Sequence, residues 1–417
     1  MPDHKNHLGI GSGTLVLLTT LACSNPASLP KPSGVLGNCT AATLGTAITR
    51  QHLLIGGDMS DEAFSGAPFD VRHQYIASFI PTSGPCDDCA SGCFVQGASC
   101  ANSAGCSWWG CWQWDQLPPG QYVTDFVLSA DAAGAIPMFT YYVWLNASGA
   151  GEGQAEIAAL KQGDRVAAYM ADYRLLNDLM GAHPSIPIIL QIEPDLWGYG
   201  QLAAADPKNI EVNLSLADAP ECAELPHTLA GFSRCLIAIT RLSAPNVLIG
   251  LHASPWGPNI DAMLNSNPQF DLQAHAQSVA DFHRALGSDA TDLVMVSMSD
   301  RDAGFDGDWW DKDNHTLPHF TQALTWSKAL SEALELPHLW WQVPYGNPRL
   351  NDTCGRYRDN RLDYVFDHAS EFAAAGALGV VFGSGTECMT TPSTDNGHFV
   401  DRADDYYTET RPFLCFE

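Results

Sequence analysis

Two carboxylic acids, Glu193 and Asp195, flank Pro194 at the end of a long apolar run, and Trp197 and Tyr199 follow at once. Pro194 cannot donate to a strand ladder and biases Glu193 towards an extended backbone, so the run should stop there. Acids and rings would then stand at the carboxyl end of a buried strand, the edge at which parallel α/β folds carry their chemistry. The competing reading is a strand terminator with a solvated acidic turn. The same pairing recurs where other apolar runs end. Asp58 closes one run, with Asp61 and Glu62 behind it, and another leads through Tyr142 to Trp144. Later runs end near His252 and Trp256, at Asp300, Arg301 and Asp302, at Gln342 and Tyr345, and close to Glu387. Carboxyls among aromatic rings suit the cleavage of sugar acetals. One protonated carboxyl donates to the leaving oxygen, a second carboxylate acts as base or nucleophile, and rings stack on sugar faces.

Positioning these groups requires strands that converge on one mouth. Strand-like apolar runs cover residues 52–58, 71–78, 136–144, 186–192, 246–254, 292–300, 339–345 and 378–383. Residues 165–180 carry Val166, Tyr169, Met170, Tyr173 and Leu176 at helical spacing, and helices are also expected over 272–286, 320–334 and 362–375. Strand and helix thus alternate eight times, the count of a (β/α)8 TIM-like barrel. The first connection is too short for a good helix, so an irregular first repeat or seven strands stay open. An open doubly wound sheet is the runner-up, but the first run is followed by no Gly-rich phosphate turn beyond Gly56-Gly57.

Composition narrows the partners. Twenty basic against 47 acidic side chains give a net charge of −27 over 417 residues, which repels nucleic acid. A hydrophobic fraction of 46% with 16% charged residues is ample for a folded core. Lys5 precedes a glycine-interrupted apolar segment, too short to span a bilayer, that ends Thr20-Leu21-Ala22-Cys23. This resembles a bacterial lipoprotein signal and implies a lipid anchor at Cys23, with ordinary signal cleavage nearby as the rival. Residues 24–45 then read as a Pro- and Ser-rich tether and residues 46–417 as one barrel domain, outside the cytoplasm at the cell envelope or beyond it. Lipidation of Cys23 would leave twelve of the 13 cysteines, enough for six disulfides. Six of them fall in an insert over residues 82–120 whose Cys86-x-x-Cys89 has no second zinc knuckle, so disulfides are favoured. The insert's Trp108, Trp109, Trp112 and Trp114 either stack on sugar or pack the insert onto the barrel.

Residues 189–196, Ile-Leu-Gln-Ile-Glu-Pro-Asp-Leu, resemble the Ile-Glu-Pro-Asp-Ser-Leu motif of glycoside hydrolase family six, the cellulases and cellobiohydrolases. The resemblance implies a distorted barrel and an inverting mechanism with Asp195 as general acid. Gly385-Thr386-Glu387-Cys388 is similar to that family's late Gly-Gly-Glu-Cys-Asp-Gly segment, but Met389 stands where the family has its proposed base. Leu145-Asn146-Ala147-Ser148-Gly149 replaces its Asp-Arg-Asp-Cys loop. A second resemblance, to retaining (β/α)8 glycosidases with Asn-Glu-Pro after the fourth strand, implies Glu193 as acid/base. Ile192 replaces that asparagine, and Gln342 is the polar residue where those enzymes carry a nucleophile.

The expectation is therefore a monomeric glycosidase-like barrel acting on a poly- or oligosaccharide, with Asp195 or Glu193 as acid and Asp300 or Asp302 as base. Asp58, Tyr142, Trp144, Trp197, Tyr199, His252, Trp256, Arg301, Gln342, Tyr345 and Glu387 would hold substrate. No cofactor and no metal are expected, because the alternating Asp306, Asp308, Asp311 and Asp313 lack the glycine and terminal glutamate of a calcium loop. Asp300 and Arg301 could equally form a structural pair, and His252 could be a packed histidine. The alternative from a different class is a barrel that binds glycans without cleaving them.

Overall fold

Uninterrupted apolar runs without solvent-facing alternation need cover on both faces, and here they obtain it from a closed parallel barrel. In the computed structural model, residues 52–77, 118–386 and 388–408 are described, together with Ile48, Arg50, Ile80, Trp112 and Gln113. The strands are β1 (Leu54–Asp58), β2 (Val71–Ile76), β3 (Ile136–Tyr141), β4 (Ile188–Ile192), β5 (Val247–His252), β6 (Leu293–Ser297), β7 (His338–Val343) and β8 (Ala377–Phe382). Each pairs in parallel with the next, and β1 pairs with β8, so the chain is a (β/α)8 barrel without an open sheet edge. The expected runs over-reach these strands by up to three residues, because the rims of the barrel turn into loops while the composition is still apolar.

The helix expected over residues 165–180 spans Gly163–Gly181, and those at Leu272–Leu286 and Phe320–Leu334 match residue for residue. The stretch 362–375 divides into Arg361–Asp367 and Ala369–Ala374. Between β1 and β2 stands a single turn, Asp61–Phe64, capped by Ser60, so the irregular first repeat coexists with eight strands. Helices at Gln121–Ala132, Leu229–Ser243 and His398–Thr408 complete the outer layer. The last of these seals the β1 seam, where Tyr406 donates to the Leu53 carbonyl and Tyr407 to Asp70.

Buried apolar residues form two bodies. One fills the barrel and the helix layer over β6–β8, with Trp340, Phe372 and Phe399 in it. The other lies between β3–β5 and their helices, with Tyr141, Tyr169, Tyr173, Trp197 and Phe232. Cys222–Cys235 and Cys354–Cys388 are disulfides; the other nine cysteines, the signal and tether expectations over residues 1–45, and most of the insert lie outside the described residues. Trp112 of the insert is fully buried, which is the packing role for that ring. Its neighbour Gln113 donates to Asp172 at 2.7 Å. Among the described residues no helix is long and apolar enough to cross a membrane.

Candidate active site

The mouth at the carboxyl ends of the strands is a cleft of about 1030 Å³, at the upper end of the range for ligand sites of about 300–1,000 Å³ and roomy for more than one sugar ring. Asp58, Tyr142, Asp195, Tyr199, His252, Trp256, Asp300, Arg301 and Gln342 line it, drawn together from the ends of six of the eight strands.

Two left-handed backbones decide which side chains arrive there. Along β4, Ile188, Leu190 and Ile192 pack outward, whereas Gln191 accepts from Thr140 inside the barrel at 3.1 Å. Simple alternation would send Glu193 inward as well. Its φ of 45° turns it out, where its Oε1 accepts the N–H groups of Val143 and Trp144, each at 3.0 Å. Glu193 is fully buried and lines no part of the cleft. That corrects its assignment as a candidate acid facing substrate. Two residues later Asp195 is half-buried at the mouth. On β7 the register shifts between Trp341 and Val343, and Gln342 takes φ 58°. This bulge lets consecutive side chains face the cleft. Trp341 stacks edge-on to His252 and Tyr75, and Gln342 donates to the Tyr75 hydroxyl at 2.8 Å.

Asp195 has the electrostatics of an acid. Burial, then the nearby Glu152 carboxylate, push its carboxyl up to about 6, against the pull of a hydrogen bond from the Tyr142 hydroxyl. Burial also raises Asp58 to about 6. The peptide around Asp195 is pinned by His252, whose Nδ1–H donates to the Pro194 carbonyl at 2.7 Å while Nε2 meets the Ser297 hydroxyl at 3.2 Å. Burial holds that imidazole down at about 4, so it is a neutral strut. After β6, Asp300 is exposed and ion-paired with Arg301. Tyr199 and Trp256 present a tilted ring pair with centroids 4.8 Å apart. Gly198 lets this wall close up, since a Cβ there would lie 2.6 Å from the Trp256 ring.

Four further expectations need correction. Asp302 is fully buried, with its carboxylate accepting Gly346 N–H and Thr390 N–H at 2.9 Å each, and it ties loops together outside the cleft. Trp144 donates its indole N–H to the Glu156 carbonyl, and Trp197 to the Ile192 carbonyl, both rings inside the core. Tyr345 is buried, bonding to the Asp58 and Phe382 carbonyls. In each case the polar atom that would have met a sugar is spent on the barrel's own backbone. Glu387 lies outside the described residues. Asp311 is occupied by the N–H groups of Asp313, His315 and Thr316, and the described residues hold no metal-binding group of three or more His, Cys, Asp or Glu.

The cleft also contains Tyr75, Glu152, Asp261 and Trp341, which the sequence does not single out, and Asp308, which it brings forward only as part of a calcium-loop pattern. A signal existed for two of them: Tyr75 follows a polar run, Arg72-His73-Gln74, within a barrel strand, and Glu152 is a carboxylate among glycines after β3.

No protein-family model and no curated protein matches the chain. Similar solved structures include the GH53 catalytic domain of Ignisphaera aggregans, at 13% identity over 85% of this chain and 91% of that one, with a TM-score of 0.42. An endo-β-1,4-mannanase double mutant of Cellulomonas fimi shares 11% identity over 86% and 71% of the two chains, with a TM-score of 0.45. Endo-glycoceramidase II of Rhodococcus sp. shares 10% over 85% and 78%, also at 0.45.

Proposed function

We propose that the protein is a glycoside hydrolase acting on a poly- or oligosaccharide, with Asp195 as general acid and Asp300 as the second carboxylate. The observation that carries this reading is Asp195 itself: of the Glu-Pro-Asp pair it alone opens on the cleft, and its surroundings hold it up at about 6. A carboxyl in that range can be protonated before attack and still give its proton to a departing sugar oxygen. Asp300 is the remaining candidate from the strand-six pair, since Asp302 is committed to backbone N–H groups. Tyr199 and Trp256 supply ring faces, and Gln342 supplies an amide for sugar hydroxyls.

Product release from a panel of α- and β-linked polysaccharides tests the proposal. Asp195→Asn should lose about 10²–10⁴-fold in rate, the usual contribution of a positioned acid. Glu193→Gln should keep most of the activity, because the amide oxygen can still accept from Val143 and Trp144. Full activity in Asp195→Asn would remove the acid from this reading. Glycan binding without cleavage by the wild type would leave a binding barrel instead.

A further inference from the structure

Six carboxylates line the cleft: Asp58, Glu152, Asp195, Asp261, Asp300 and Asp308. Among the described lining residues the one fixed cation is Arg301, and it is paired with Asp300. The acids do not converge into a metal-binding group among the described residues, so they are spread along the walls. A cleft of one charge sign concentrates ligands of the other and repels ligands of its own.

A second, independent observation concerns the floor. Trp341 lines the cleft, is buried to 3% exposure, and its indole N–H has no hydrogen-bond partner. An indole nitrogen only donates, so a ligand that satisfies it must bring an acceptor oxygen. A protonated polyamine has none. A neutral glycan has hydroxyls for Trp341 and for the carboxylates but no charge to offset theirs, and an anionic glycan is repelled. A sugar ring bearing a free amine answers both demands, with its ammonium against the acids and its hydroxyl or ring oxygens towards Trp341.

We propose that the cleft takes oligosaccharides of de-N-acetylated amino sugars. The inference rests on the reading of the cleft as a glycan site, and not on cleavage. The test is calorimetric binding of glucosamine and galactosamine oligomers, each against its N-acetylated counterpart, with a neutral gluco-oligosaccharide and spermine as controls. Acetylation removes the charge and leaves the ring hydroxyls in place. The free-amine forms should bind on the order of tenfold more tightly than the acetylated forms at low ionic strength, with the gap shrinking as salt is added. Glu152→Gln, a substitution at an exposed position, should narrow the gap, whereas Trp341→Phe should weaken both forms alike.

Equal or tighter binding of the acetylated or neutral sugars would overturn the inference, as would spermine binding as tightly as the amino-sugar oligomers. So would the absence of binding by every sugar tested. Cleavage of neutral glycans without amine preference would sink this inference and keep the hydrolase. Free-amine binding without cleavage would do the reverse.

Discussion

Asp195 and its two polar neighbours make a proton-affinity setting that can be pushed both ways. An acid must be protonated to work, so kcat/KM should fall as pH rises through about 6, the position to which burial and Glu152 bring this carboxyl. Tyr142 donates to the charged form and pulls the value down, so Tyr142→Phe should move the falling limb to higher pH. Glu152 repels the charged form, so Glu152→Gln should move the limb to lower pH. The pH profiles of kcat/KM for the two variants check this, and limbs moving together would place the acid elsewhere. At this scale the sequence brings both acids to one turn but does not say which of them opens on the cleft. Two family resemblances converged on residues 193–195 and divided between the acids. What separates them is one backbone angle at Glu193, which no side-chain pattern encodes.

At the scale of elements, Glu193 becomes the bolt between β4 and the turn that starts at Trp144. Burial raises its carboxyl to about 8 from an ordinary 4.5, against the pull of the two N–H groups it accepts. Between those values the folded chain holds a proton that the unfolded chain has lost, so stability falls as pH rises across that window. Glu193→Gln cannot ionise and keeps the acceptor. Its melting temperature relative to wild type should therefore climb from about pH 5 to about pH 8, by a free energy on the order of 1–3 kcal/mol. A difference that is flat in pH would show that the buried carboxyl costs nothing there. The strands and three of the helices were legible because an apolar run or a 3.6-residue period is a local property. The helix Leu229–Ser243 was not, since Gly231 in its first turn resembles a breaker. A Cβ there would lie 1.8 Å from the Pro226 carbonyl, so the glycine serves close packing. Trp144, Trp197 and Tyr345 were misplaced for a related reason: nearness to a strand end says nothing about which way a ring points.

For the whole molecule, the loops after β6, β7 and β8 form one braced lip. Asp302 joins Gly346 and Thr390, Asp359 accepts from Ala303 N–H and pairs with Arg361, and the Cys354–Cys388 disulfide crosses the same region. The loops after β3 and β4 form another, held by Glu193, by His252 on Pro194 and by the second apolar body, while the loop after β5 packs with the first body through Ala262 and Met263. Asp195 belongs to one lip and Asp300 to the other, and the His252–Ser297 contact spans them. The two groups proposed to act on one bond are thus mounted on opposite sides of a joint, like the jaws of a vice on separate castings. Warming should open the gap between the jaws before it melts either casting. Product release should fail at a temperature below the one at which the circular dichroism of the barrel is lost, and coincident losses would mean that the joint is as rigid as the parts it connects.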